Sequence, residues 1–124
     1  MKLWKGRWLI VVSIIHTVVG MVLFPEVLLS IIRRGVFDTV GTDPMTGAVA
    51  WFFLFGIVLF ISGLCIYELE KSLNGWVPKS IGWSLLVLVL LGVILMPVSG
   101  FWLALPTAIA ILIGKPNAQS TATN

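Results

Sequence analysis

Three long stretches of the chain contain no Asp, Glu, Lys or Arg: residues 8–25, 44–67 and 80–114. A helix needs about 20 apolar residues to cross a hydrocarbon core of about 30 Å. Hydrophobic residues make up 59% of the chain and charged residues 10%, whereas soluble domains have roughly 45–50% and about 25%. The uncharged stretches therefore predict an all-α integral membrane protein.

The length of the chain gives room for one domain, which we expect to be a four-span transmembrane unit over residues 1–114. A flexible polar tail follows over 115–124. The third uncharged stretch would reach about 52 Å as one helix, too long for a single crossing, and Pro97 divides it. We predict spans at about 8–24, 46–67, 81–96 and 98–114. The fold class is a four-helix up-and-down bundle, with a re-entrant hairpin over 80–114 as the alternative.

The segment after the first span predicts a short interfacial helix. Pro25 suits the first turn of a helix, and Glu26 lies at the positive end of the helix dipole. Gly35 follows Arg33 and Arg34 as a C-terminal stop. A short helix that is apolar on one side and basic at its end is expected to lie at the membrane surface or to cap the bundle.

Polar residues predict two connecting loops. One loop covers residues 38–44. The other covers 68–79, where Asn74 and Gly75 form the turn signal. Each loop joins two predicted spans.

Two independent patterns predict that both termini are cytoplasmic. The positive-inside rule places basic loops in the cytoplasm, and tryptophans gather at both membrane interfaces. Six basic residues fall on the side of the termini: Lys2, Lys5, Arg7, Lys71, Lys79 and Lys115. Only Arg33 and Arg34 fall on the opposite side. Trp4, Trp8, Trp76 and Trp83 cluster at the predicted inner interface, and Trp51 and Trp102 lie near the outer one.

Several functional classes are disfavoured by the composition. The basic residues are scattered, whereas nucleic-acid binding needs a clustered basic surface. The lone Cys65 cannot form an internal disulfide, and no spacing of His and Cys fits a zinc site. The basic N-terminus resembles a secretion signal, but no cleavage site of small residues follows, so we expect the first span to be retained. We expect no cofactor and no nucleic-acid partner.

A polar face on the first span is a candidate ligand-binding site. Ser13, His16, Thr17 and Gly20 share one side of a helix because they are spaced i, i+3, i+4 and i+7. His16 lies near the middle of the span, where an ionisable residue is a functional candidate. A neutral imidazole that hydrogen-bonds to a neighbouring helix is the structural interpretation. Ligand binding or proton handling is the second, and metal or haem ligation the third.

The charged residues of the interfacial helix form a second candidate ligand-binding group. Arg33 and Arg34 lie on the side that topology rules leave poor in basic residues. They are expected either to pair with Glu26 or to meet an anionic partner such as a lipid phosphate. A solvated, lipid-anchoring surface is the alternative, because exposed ion pairs contribute little.

The return between the last two predicted spans is a third candidate region, with Ser99 and Trp102 as possible ligand-binding residues. Pro106 removes the helical donor for the carbonyl of Trp102, so that carbonyl needs a partner from a neighbouring helix or from water. Small residues elsewhere indicate helix contacts: Gly56 and Gly63, and Ala104 and Ala108.

The chain resembles a known group of proteins through five short motifs. They are Gly6-Arg7-Trp8-Leu9-Ile10, His16-Thr17 with Gly20, Trp51-Phe52-Phe53-Leu54-Phe55-Gly56, Gly82-Trp83 and Met96-Pro97-Val98-Ser99-Gly100-Phe101-Trp102. Together they resemble small bacterial four-helix membrane proteins grouped as a domain of unknown function. In size and layout the chain is also distantly similar to the DoxX-type proteins. The resemblance implies a multi-pass protein of the bacterial inner membrane and transfers no activity or catalytic residue.

Three functional classes follow from the sequence. The first is a non-enzymatic membrane module, acting as an accessory subunit or a self-associating bundle. The second is a binder or carrier of a small apolar or amphipathic molecule such as a quinone, lipid or drug, in a cavity near His16. The third is an intramembrane enzyme that uses His16 as an acid or base. The expected partners are the bilayer, a second copy or another membrane protein, and a small apolar ligand.

Overall fold

The computed structural model describes residues 3–116, and every regular element in that range is helical. Five α-helices and one 3-10 helix follow one another without a strand in this range. They are α1 (Lys5–Leu23), α2 (Pro25–Arg33), α3 (Pro44–Ser72), α4 (Lys79–Leu95), the 3-10 helix (Gly100–Ala104) and α5 (Leu105–Ile113). The all-α prediction is confirmed. The predicted tail lies outside the described residues from position 117 onward.

Helix α2 begins and ends as its sequence predicts. Pro25 occupies the first turn, where its missing N–H is not needed, and Glu26 follows it at the positive end of the helix. Gly35 has a φ of +88°, a conformation that glycine adopts at little cost. The N–H of Val36 then donates to the carbonyl of Ile31 at 3.0 Å, which closes the last turn.

Asp43 starts helix α3 as an N-cap. Its carboxylate accepts hydrogen bonds from the hydroxyl and from the backbone N–H of Thr46. The hydroxyl bond is the main cause that lowers the pKa of Asp43 below its ordinary value, and the backbone bond adds to it. The cap satisfies N–H groups that the first turn of a helix leaves without partners.

Helix α3 ends later than the sequence predicts. The predicted loop over 68–79 is wrong for its first five residues, because the helix continues to Ser72. The charged residues that suggested a loop lie on the last turns of α3, and one of them, Glu70, is fully buried. The turn itself is where the sequence places it: Asn74 and Gly75 have φ values of +54° and +89°.

Two helices are long and apolar enough to cross a membrane, namely α1 with 19 residues and α3 with 29. Only 28% of the apolar window of each helix is buried. Trp51 and Val22, for example, are each 72% exposed. Helix α4 and the region Gly100–Ile113 are apolar but shorter. Residues 97–99 are not helical, so the last helical region begins two residues later than the predicted span.

Helix α1 lies at the centre of the packing. It contacts α3 on one side and α5 with the 3-10 helix on the other, while α4 contacts α5 and the 3-10 helix. Helix α2 packs on α1 and α3. Among the described residues, no Cα atoms of α3 and α4 approach within 8 Å. Buried side chains from the α-helices α1, α3, α4 and α5, the loop before α4 and the 3-10 helix form one core: Leu9, Val12, Leu59, Ile66, Val77, Val89, Ala104 and Ile111.

The contact between α1 and α3 is close enough to require glycine. A Cβ atom on Gly63 would lie 2.9 Å from the backbone nitrogen of Ile10 and 3.1 Å from the carbonyl oxygen of Gly6. A Cβ atom on Gly6 would collide with the backbone of Tyr67. The two helices therefore meet backbone to backbone at this end, which confirms Gly63 as a helix-contact residue.

Candidate functional site

A fully buried carboxylate joins the beginning of α1 to the end of α3. Glu70 has no exposed surface. Its Oε1 accepts the backbone N–H of Lys5 at 3.1 Å, and its Oε2 accepts that of Gly6 at 2.9 Å. The Nζ of Lys5 lies 3.5 Å from Oε1 and also donates to the carbonyl of Gly75 at 3.0 Å. Within residues 3–116, one ion pair is present, and Lys5 and Glu70 form it.

Glu70 acts as an N-cap supplied by another helix. The first N–H groups of a helix have no partners within it, and they favour a negative charge. Trp4, which precedes α1, offers no side-chain cap. The carboxylate from α3 fills that role and carries a buried charge that two amides and an ammonium compensate. Sequence reasoning missed this residue, and the only local signal is a helix start without a capping side chain.

His16 bonds to helix α3. Its Nε2 lies 2.9 Å from the carbonyl oxygen of Phe52. A carbonyl only accepts, so this nitrogen carries the hydrogen. The imidazole stacks on the Phe52 ring with centroids 3.9 Å apart, and Phe55 meets it edge-on at 5.5 Å. This geometry matches the structural interpretation of His16, a side chain that joins two helices.

The other polar residues of this face bond to their own helix. Ser13 donates to the carbonyl of Ile10 at 2.7 Å, and Thr17 donates to the carbonyl of Ser13 at 3.0 Å. Opposite them, a Cβ atom on Gly56 would lie 2.8 Å from the hydroxyl of Thr17. The structure therefore brings Ser13, His16 and Thr17 together on the side of α1 that faces α3.

The charged residues of α2 stay apart from that face. Glu26, Arg33 and Arg34 are all exposed. Of the two alternatives for the arginines, the ion pair with Glu26 is not formed: Glu26 lies in the first turn of α2, and Arg33 and Arg34 lie at its other end. Arg34 instead donates from Nε to the carbonyl of Ser30 at 3.3 Å.

The return before α5 is closed by two tryptophans. Trp102 donates from its indole to the carbonyl of Pro97 at 2.9 Å, and Trp8 donates from α1 to the carbonyl of Leu103 at 2.6 Å. The expectation that the Trp102 carbonyl needs a neighbouring helix or water is wrong, because the N–H of Leu105 donates to it in a 3-10 turn. Nearby, the hydroxyl of Ser99 is buried without a partner.

No group of three His, Cys, Asp or Glu residues in the described part of the chain could hold a metal ion. Cys65 is exposed and has a free thiol. The polar side chains of α1 and the buried carboxylate of α3 bond to protein groups. Glu70 and His16 join α1 to α3, whereas Ser13 and Thr17 bond within α1.

These features define a class: an all-helical protein with two apolar helices that could cross a membrane, joined by buried polar contacts. Within that class, the chain belongs to a family of unknown function, DUF6463, whose model matches residues 1–118. The predicted membership of such a family is confirmed, while the likeness to the DoxX-type proteins stays a prediction. No curated protein and no solved structure matches the chain.

Removal of the buried carboxylate should destabilise the fold. Glu70→Ala leaves two amides and an ammonium without their acceptor, so we expect a loss of about 3 kcal/mol in the free energy of unfolding. Glu68→Ala is the matched control, because Glu68 is exposed two residues earlier on the same helix. Thermal unfolding followed by circular dichroism in mild detergent measures both. Equal melting temperatures for the two variants would refute the capping role.

Substitution of His16 should separate its ring packing from its hydrogen bond. His16→Phe keeps an aromatic ring beside Phe52 but removes the bond, with an expected loss of about 1 kcal/mol. His16→Ala removes both and should lose about 2–3 kcal/mol. The same unfolding assay applies. A His16→Ala protein as stable as the native chain would contradict the structural interpretation.

Proposed function

We propose that the chain is a multi-pass protein of the bacterial inner membrane, folded as a four-helix bundle, that serves as a non-enzymatic accessory or self-associating module. The observation that carries this proposal is the combination of apolar, exposed helices with inward polar groups. Helices α1 and α3 expose most of their apolar surface. Their polar face is engaged in bonds between and within helices. The exposed apolar surface is compatible with contact to lipid, and the polar side chains of α1 are already hydrogen-bonded inside the protein.

The order of the helix contacts supports the up-and-down bundle. In such a bundle, helices that follow one another in the chain are also neighbours in space. With α5 and the 3-10 helix taken together as the fourth span, three of the four neighbouring pairs are in close contact: α1 with α3, α4 with α5, and α5 with α1. The pair of α3 and α4 has no close backbone approach among the described residues.

The exposed apolar surfaces of α3 and α4 favour an accessory or self-associating role. Both helices carry large exposed apolar residues, among them Ile57 and Val58 on α3 and Leu90 and Leu91 on α4. A helix of another subunit packs on such a surface as readily as lipid does. The lengths of the spans fit a bilayer with local thinning, because the 17 residues of α4 rise only about 25 Å.

The charges support cytoplasmic termini. Lys5, Lys71 and Lys79 lie at one end of the helices, at the start of α1, the end of α3 and the start of α4. Arg33 and Arg34 lie at the other end, between α1 and α3. The positive-inside rule then orients the bundle with α2 on the periplasmic side.

The binding and enzymatic alternatives stay predictions. They assign ligand-binding roles to Ser13, His16 and Thr17, or acid–base chemistry to His16. In the described residues His16 already bonds to the carbonyl of Phe52 and stacks on its ring. No observation therefore favours either alternative over the membrane module.

Thiol labelling tests the membrane crossing. In a Cys65→Ser background, Asp38→Cys should react with an impermeant maleimide in spheroplasts, because the proposed topology puts Asp38 outside. Lys71→Cys, at the opposite end of α3, should react only after the membrane is permeabilised. Both residues are exposed, which makes them matched probes. Equal labelling of the two in intact spheroplasts would refute a crossing by α3.

Native mass spectrometry from mild detergent tests the accessory role. We expect the full chain to leave the bacterial membrane as a homo-oligomer or with another membrane protein bound. The protein refolded alone into the same detergent provides the control for self-association. A monomer without any bound protein, in both preparations, would contradict the proposed module. A retained small molecule that His16→Ala releases would favour the binding alternative instead.

A further inference from the structure

Helix α2 presents three different surfaces around its axis. Val27, Leu28 and Ile31 are half-buried. At 100° per residue they share one side, and that side faces the helices on which α2 packs, α1 and α3. The remaining surface is exposed and has an apolar flank and a charged flank.

The two exposed flanks differ in chemistry. Ile32 lies on the apolar flank and is 57% exposed, and Leu29, 49% exposed, lies between it and the charged flank. Glu26 and Arg33 lie on the other flank, two helical turns apart, and Arg34 follows at the end of the helix. Such a division of an exposed surface is typical of helices that lie in a membrane interface.

The two arginines are available to an anion. Neither forms an ion pair with a carboxylate. The nearby acids are Glu26 at the start of α2, Asp38 beyond its end, and Asp43, whose carboxylate accepts two bonds from Thr46. The charge of Arg34 also lowers the pKa of Asp43, as the last of its causes after the Thr46 bonds. Both arginines are exposed, and Arg34 uses its Nε in a bond to the carbonyl of Ser30.

An apolar tip lies beside the arginines. Val36 and Phe37 follow Gly35 and are 63% and 91% exposed. Val36 has a φ of +69°, a conformation that is rare for a β-branched residue. The chain thus holds two apolar side chains outside the protein, two to four residues from two cationic ones.

We propose that α2 and the tip of residues 35–37 bind anionic phospholipid at the membrane surface. Arg33 and Arg34 contact the lipid phosphate, while Ile32 and Phe37 enter the upper acyl region. Lipid is the favoured occupant because α2 joins the ends of two apolar helices, α1 and α3, and so lies at the level where a bilayer changes from acyl chains to headgroups. The proposal rests on the membrane integration proposed above.

A titration with phosphatidylglycerol tests the charged part of this site. Native mass spectrometry counts the lipid bound to the full chain in mild detergent. Arg33→Gln with Arg34→Gln should weaken binding about 25-fold, at about fivefold for each lost arginine charge. Lys71→Gln with Lys79→Gln removes the same charge from exposed residues at the other end of the helices and should change the affinity less than twofold. Arg33→Lys with Arg34→Lys keeps the charge and should retain most of the binding.

Two outcomes of the titration would overturn the proposal. One is an equal loss of affinity in the arginine and lysine pairs, which would indicate a general charge effect. The other is equal binding of glycerol phosphate and phosphatidylglycerol to the native chain at the same concentration, because the apolar flank would then contribute nothing. Circular dichroism confirms that each variant is folded.

A depth measurement tests the apolar part. Ile32→Cys and Arg33→Cys, each in a Cys65→Ser background, carry a nitroxide label in bilayers that contain phosphatidylglycerol. The label at 32 should be more accessible to oxygen than the label at 33. The label at 33 should be more accessible to a water-soluble nickel complex than the label at 32. Equal exposure of both labels to nickel, or spin–spin broadening between two copies, would refute the lipid assignment.

Alkaline carbonate extraction separates this proposal from the proposed function. If the chain stays in the membrane but the arginine pair does not affect lipid binding, only the lipid site fails. If carbonate releases the chain, membrane integration fails and the lipid site fails with it.

Discussion

The close contact between α1 and α3 is the constraint on which the other packing depends. At one end, Gly6 and Gly63 let the two backbones meet. Beside them, Glu70 accepts the first amides of α1. Further along, His16 reaches the carbonyl of Phe52. Close approach makes both polar bonds possible, and those bonds in turn set the position of one helix along the other. Helix α1 is then held in place, with its opposite side free to receive α5.

On the opposite side of α1, a tryptophan bonds to a carbonyl for which Pro106 cannot act as a donor. Pro106 has no N–H, so the carbonyl of Leu103, three residues earlier, cannot form a 3-10 bond with it. Trp8 of α1 donates its indole N–H to that carbonyl. The Trp102 carbonyl is satisfied within the 3-10 turn by Leu105. The indole bond therefore links the junction of the 3-10 helix and α5 to α1.

Local signals in the sequence predicted much of the helical layout. Pro25, Gly35 and the Asn74-Gly75 turn act through their own backbone preferences, which neighbouring residues suffice to reveal. The spacing on α1 also predicted which residues share a face. Glu70 could not be found this way, because its partners lie 64 and 65 residues away and a charge near a helix end resembles a loop. For the same reason the carbonyl that binds His16 could not be named in advance.

Several hydroxyl groups in the helices bond to their own helix, whereas one buried hydroxyl does not. Thr17, Ser62 and Ser84 each donate to the carbonyl four residues earlier, the usual solution for a hydroxyl in a helix. Thr107 does not, although it is completely buried. The carbonyl four residues before Thr107 belongs to Leu103, and it accepts the indole N–H of Trp8. That carbonyl keeps a second lone pair, so the Trp8 bond alone does not exclude the hydroxyl of Thr107. A buried hydroxyl without a partner carries a desolvation cost, which the packing of α5 against its neighbours has to offset.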